Sequence, residues 1–201
     1  MIDIVEIDVA SRLLTAGTVV AVPTDTVYGL AASFSQPFAI DGLFVAKERP
    51  RDVALPVMIA DVSMALELGA TWSDEAAALA DAFWPGALTI VVEVPRDVAA
   101  VVGADQSLGF RIPGHERLRD LVRVTGPLAV TSANRHGHPP CTRADEVQHV
   151  FSGTAVAGVI DGGACSGEVS TVVDLTDGWR IRRHGAISES ALSAILGPRI
   201  D

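Results

Sequence analysis

The chain has 201 residues, 49% of them hydrophobic and 20% charged, and a formal net charge of −10. This composition suits a packed globular chain that buries roughly 70% of its unfolded surface without disulfide staples. The acidity argues against broad non-specific nucleic-acid binding, which needs many exposed basic side chains.

The first predicted element is a helix from Val9 to Ala16, capped by Asp8 and stopped by Gly17. Thr18 to Val22 reads as a buried strand, and Pro23 to Leu30 as a polar loop. A helix over Pro37 to Glu48 places Ile40, Leu43 and Phe44 on one face and is closed by Pro50. Leu55 to Ala60 reads as a strand, followed by helices over Asp61 to Leu68 and Ser73 to Phe83. Strands at Leu88 to Val94 and Leu108 to Ile112 precede a helix from Glu116 to Val124. Leu128 to Thr131 is a strand running into a polar loop. Thr142 is the expected cap of a helix reaching Val150, with Glu146 near the capping-box position. Val156 to Ile160, Thr171 to Leu175 and Trp179 to Arg182 are late strands, and Ser188 to Leu196 the last helix. Strands and helices alternate without a linker, so one α/β domain over residues 1–201 is expected.

Two cysteines, Cys141 and Cys165, form neither a disulfide framework nor a zinc-ligand set. The N-terminus lacks a secretory signal and no apolar run approaches the ~20 residues that span a bilayer. A cytoplasmic protein without a membrane partner is expected. Basic residues are fourteen Arg and a single Lys, Lys47. Neither G-x-x-x-x-G-K-[ST] nor a strand-borne G-x-G-x-x-G is present, so any nucleotide is held without those loops.

Polar residues gather where predicted strands and helices end. Pro23-Thr24-Asp25-Thr26-Val27-Tyr28-Gly29-Leu30 reads equally as a turn or as a site for a small polar substrate. Lys47-Glu48-Arg49-Pro50, taken alone, reads as a helix C-terminal cap. Arg111-Ile112-Pro113 offers a fork for a carboxylate. Thr131-Ser132-Ala133-Asn134, Ser170-Thr171 and Arg182-Arg183 add hydroxyls, an amide and further cations. His136 and His138 read as a polar loop rather than a metal site, and Trp72, Trp84 and Trp179 as packing residues.

In this order, with Phe83-Trp84-Pro85-Gly86 and Ser170-Thr171-Val172-Val173-Asp174, these motifs resemble the YrdC-like family over nearly the whole chain, from Asp8 to Ser190. The resemblance implies a single-domain YrdC-like α/β fold, a twisted open mixed β-sheet flanked by helices. It also implies an activity, L-threonylcarbamoyladenylate synthesis from L-threonine, bicarbonate and ATP with Mg2+, the nucleotidyl transfer that feeds threonylcarbamoyl modification of the adenosine beside a tRNA anticodon. By motif matching, Lys47 and Arg49 are the catalytic pair and bind phosphates. Thr26, Tyr28, Arg111, Ser132 and Ser170 would hold threonine; Ser107, Asn134, Thr142 and Arg183 would hold the nucleotide, with Arg182 able to exchange with Arg183. Val53 and Met58 replace residues that contact ligand in other members. The implied partners are tRNA threonylcarbamoyl-transfer proteins and, weakly, RNA.

Three other readings are weighed against this one. A double-stranded RNA-binding or ribosome-assembly module is disfavoured by the acidity. A carbamoyltransferase module of hydrogenase maturation belongs to longer, zinc-binding chains. A relative without catalysis is disfavoured by retention of the cations. No covalent nucleophile is assigned.

Overall fold

The computed structural model describes residues 2–47, 54–135 and 137–197. Its elements are α1 (Ile7–Thr15), β1 (Val19–Val22), β2 (Gly29–Ser33), α2 (Pro37–Lys47), β3 (Val57–Met58), α3 (Val62–Glu67), α4 (Asp74–Phe83), β4 (Leu88–Glu93) and α5 (Arg96–Ala100). They continue with β5 (Ser107–Arg111), α6 (Glu116–Thr125), β6 (Leu128–Ser132), α7 (Ala144–Val150), β7 (Val156–Val159), β8 (Thr171–Asp174), β9 (Arg180–Arg183) and α8 (Glu189–Leu196).

The strands form one mixed sheet in the order β7-β1-β2-β6-β3-β5-β4-β8-β9. The pairs β1–β7, β3–β5 and β4–β8 are parallel, and the others are antiparallel. Period-two alternation sends the side chains of each strand to opposite faces. In β1, Val20 and Val22 join one apolar cluster while Val19 and Ala21 join the other. The smaller cluster lies under α1 and α6, through Ala10, Leu14, Leu118, Leu121 and Val122. The larger fills the other face, with Ile40, Leu43 and Phe44 of α2, Leu79 of α4, Val147 of α7 and Leu192 of α8.

Most predicted elements are present, with instructive shifts. Helix α1 begins earlier than expected: Glu6 is its N-cap, and Asp8 lies in its first turn and pairs with Arg12 at 3.3 Å. Gly17 stops it at φ 81°, a left-handed conformation that costs glycine little. The segment expected to be loop through Leu30 becomes β2 from Gly29 onward. The strand expected over Leu55 to Ala60 pairs only at Val57–Met58, where β5 and β6 flank it. Thr142 is not a helix cap. Arg143 holds that position without a side-chain bond, and the Glu146 carboxylate instead accepts from the Thr142 N–H at 2.6 Å. The short helix α5 was not anticipated. Asp61, Ser73 and Ser188 do cap their helices, each side chain accepting a backbone N–H of the first turn. Among the described residues, no helix is long and apolar enough to cross a membrane.

Candidate active site

The face covered by α1 and α6 continues across β5, β4, β8 and β9, and there it lines a cavity of about 800 Å3. Alternation supplies the lining: Ser107, Gly109 and Arg111 from β5, Thr89 and Val91 from β4, Val130 and Ser132 from β6, and Val172 from β8. The odd-even partners Leu108, Phe110, Leu88 and Ile90 point the other way, into the larger core. The site is therefore built on a sheet face as well as on loops at strand ends.

Seven of the predicted residues line this cavity: Thr26, Tyr28, Ser107, Arg111, Ser132, Ser170 and Arg183. Arg111 is only 3% exposed. Its Nε donates to the Gly86 carbonyl at 2.8 Å, Nη1 to the Thr26 hydroxyl at 3.2 Å and Nη2 to Asp25 Oδ1 at 2.7 Å. Burial pushes the guanidinium pKa down and the Asp25 charge opposes it. Of five N–H donors, these bonds leave two for a ligand. Asp25 is held in turn by the Gly114 N–H at 2.8 Å. Its partner lies 86 residues away, which is why a reading of the Pro-Thr-Asp-Thr motif assigns it no role.

The threonines beside Asp25 form a tight turn. The Thr24 hydroxyl donates to the Val27 carbonyl at 2.6 Å and accepts the Thr26 and Val27 N–H groups. The Thr26 hydroxyl lies 2.8 Å from Thr24 Oγ1. Its oxygen accepts from Arg111 Nη1.

Tyr28 borders the cavity, but its hydroxyl is committed behind the wall. It donates to the Gly163 carbonyl at 2.9 Å and accepts the Gly162 N–H at 3.0 Å. Burial pushes its pKa up to about 12 against the lowering effect of that N–H. Its backbone bonds to Ala133 and Cys141 clamp the loop after β6 onto the Thr26 turn. The Ser166 hydroxyl and the Gly167 N–H close the same turn from the other side, on the carbonyls of Asp25 and Thr26.

Lys47, the last residue of α2, is 3% exposed. Its Nζ donates to the Ser132 carbonyl at 2.5 Å, Ser132 Oγ at 3.2 Å and Asn134 Oδ1 at 2.7 Å. It thus reaches the cavity wall through Ser132. Asn134 also donates to the carbonyls of Arg135 and His138, tying Lys47 to the following loop. Thr142 is not among the lining residues; neither is its neighbour Cys141, whose thiol burial pushes up to about 11. Arg49 and Val53 lie outside the described residues. Met58 lines the cavity.

The two arginines of β9 separate clearly. Arg183 Nε donates to the Ser170 carbonyl at 3.0 Å and Nη2 to Ser170 Oγ at 2.8 Å. Arg182 is drawn to Asp174 at 2.6 Å, together with Arg180 at 2.8 Å. A register shift between Val172 and Val173 gives β9 an extra residue, so Arg183 comes opposite Val172 on the cavity side while Arg180 and Arg182, two apart, reach one carboxylate. Burial alone would raise the Asp174 carboxyl; the Thr176 N–H and hydroxyl and the two arginines outweigh it and hold it below the usual range. Sequence reasoning missed Asp25, Thr89 and Asp174 as parts of this architecture, although each lies inside or beside a motif it quotes.

The Sua5/YciO/YrdC family model, described as "Telomere recombination", matches residues 12–185. The threonylcarbamoyl-AMP synthase of Bacillus subtilis is 37% identical over 94% of this chain and 56% of its own length. A putative threonylcarbamoyl-AMP synthase of Mycobacterium tuberculosis is 36% identical over 92% of this chain and 86% of its own. The crystal structure of Pyrococcus abyssi Sua5 complexed with L-threonine superposes with a TM-score of 0.91 at 34% identity, covering 96% of this chain and 58% of that one. The chain thus spans little more than half the length of the Bacillus and Pyrococcus proteins. By the model match and by these identities, the chain belongs to the Sua5/YciO/YrdC family.

Proposed function

We propose that the chain is an L-threonylcarbamoyladenylate synthase, a nucleotidyltransferase that joins L-threonine, bicarbonate and ATP and releases pyrophosphate. The observation that carries this reading is the 800 Å3 cavity lined by buried Arg111, by Arg183 and by the hydroxyls of Thr26, Ser132 and Ser170. Its volume suits an amino acid beside a nucleotide. The names of the relatives support the same reading.

The chemistry explains why cations dominate. The threonine amine adds to bicarbonate and loses water to give a carbamate. A carbamate oxygen then bonds to the α-phosphorus as the α–β bridging bond breaks, and that electron pair leaves on pyrophosphate. Carboxylate, carbamate and triphosphate are all anionic, so the barrier is repulsion, and fixed donors lower it more than a strong base would. Arg111 would offer its two remaining N–H groups to the threonine carboxylate, with Thr26, Tyr28 and Ser132 shaping its seat. Lys47 would exchange one wall oxygen for a phosphate oxygen, with Arg49 beside it, and Ser107, Asn134, Thr142 and Arg183 would border the nucleotide. Magnesium would arrive as the counter-ion of ATP. The product would pass to tRNA threonylcarbamoyl-transfer proteins.

The test is pyrophosphate release with ATP, bicarbonate and L-threonine. Release that requires threonine and bicarbonate is expected; release independent of threonine, or none, overturns the proposal. Lys47→Ala should lower kcat about 100-fold or more. Full activity in that variant would remove its phosphate role and leave the synthase reading standing.

A further inference from the structure

Two hydroxyls in the cavity wall have a proton direction that their surroundings decide. Thr89 Oγ1 in β4 and Ser170 Oγ, just before β8, lie 3.1 Å apart, with the residues 2% and 4% exposed. A hydroxyl gives one proton and accepts two. Arg183 Nη2, 2.8 Å from Ser170 Oγ, can only donate, so it fills one acceptor place there. Thr89 is more constrained. Ser170 is the one side-chain partner of its hydroxyl among the described residues. Its methyl is wedged over Gly109, where an added Cβ would lie only 3.0 Å from Thr89 Cγ2, so the hydroxyl is held toward Ser170. A Thr89 proton directed elsewhere meets no protein acceptor among the described residues.

We propose that Thr89 is a positioning residue that donates to Ser170, so that the Ser170 oxygen is filled by two donors and its own proton is reserved for the ligand. Ser170 then acts as an obligate donor, polarised by the Arg183 guanidinium. The subsite it borders selects an anionic oxygen and disfavours an ammonium or amide N–H. Resting on the synthase reading, this oxygen is a carboxylate-type oxygen of the threonine substrate. Thr89 touches the reaction only through Ser170.

A double-mutant cycle on pyrophosphate release tests this. Thr89→Val keeps the shape and removes the hydroxyl. It is expected to raise the KM for threonine about tenfold while leaving the KM for ATP within about twofold. Thr89→Ser keeps the hydroxyl and should restore the threonine KM even where loss of the methyl lowers Tm. Adding Thr89→Val to Ser170→Ala should cost less than about a further twofold, because the donor through which Thr89 acts is already gone. An unchanged threonine KM in Thr89→Val, no restoration by Thr89→Ser, or losses that multiply in the double variant would each overturn the proposal. A wild-type chain without threonine-dependent release would instead overturn the synthase reading, and this inference with it.

Discussion

Two carboxylates anchor arginines on opposite sides of the cavity, and they reverse each other's burial. At Asp25 the arginine is hidden, Arg111 at 3% exposure, while the carboxylate reaches water at 23%. At Asp174 the carboxylate is fully buried and its arginines are half-exposed, Arg180 at 54% and Arg182 at 46%. A buried charge that loses its partner cannot recover hydration, whereas an exposed one can. Arg111 therefore depends on Asp25. Around Asp174 the dependence runs the other way, and there it is shared among two arginines and the two donors of Thr176. The first anchor fixes a group that lines the cavity; the second fixes the edge strand that carries Arg183.

The sharpest way to break this contrast is Asp25→Asn. The amide keeps the shape and an acceptor for the Gly114 N–H but leaves Arg111 buried without a counter-charge. Stability should fall by about 3 kcal/mol, read as the urea midpoint, and threonine kcat/KM should fall with it. Arg180→Gln, which leaves Asp174 with Arg182 and Thr176, should cost no more than about 1 kcal/mol. Equal costs for the two variants would erase the distinction.

Asp174→Asn sharpens the comparison through pH. The folded Asp174 carboxyl is held below its ordinary range, so its stabilisation is complete above the unfolded value of about 3.9. It disappears as pH falls through the lower folded value. The stability deficit of Asp174→Asn should accordingly be largest near neutrality and shrink once the pH drops below about 4. Urea unfolding of both proteins across that range checks the sign, and a deficit that grew on acidification would contradict it.

Much of this architecture is legible in the sequence wherever the signal is local. Helix α4 is announced by Ser73 and ended before Pro85, and the β-branched run of β1 needs no neighbour to be read as buried strand. Strand β2 is different. Gly29, Ala31 and Ala32 have little strand preference, and the segment is extended because β1 and β6 bond to it on both sides. The site divides the same way. Thr26, Arg111, Ser132 and Ser170 stand in local motifs, and all four line one cavity. Asp25 with Arg111 and Thr89 with Ser170 are partnerships across 86 and 81 residues, which only the sheet order brings together. The assignment of Arg183 rather than Arg182 to Ser170 turns on a bulge, and no composition announces a bulge.

A third anchor in the same wall works without charge and gives the smallest of these effects. The Tyr28 hydroxyl joins the Thr26 turn to Gly162 and Gly163, with its pKa pushed up to about 12. The neutral phenol is the form the fold favours. Its stabilisation is therefore complete below the unfolded value of about 10 and is lost as pH rises through about 12. Tyr28 is the chain's single tyrosine, so tyrosinate absorbance reports on it alone. The folded protein should ionise about two units later than the urea-unfolded chain, and Tyr28→Phe should cost about 1–2 kcal/mol by stranding the Gly162 N–H and the Gly163 carbonyl. That cost lies below the loss expected for Asp25→Asn because no ion is left behind. Folded-state ionisation near the ordinary phenol value would show the hydroxyl unanchored, and the turn that presents Thr26 would then rest on its other bonds, those of Thr24, Ser166, Gly167 and Arg111 among them.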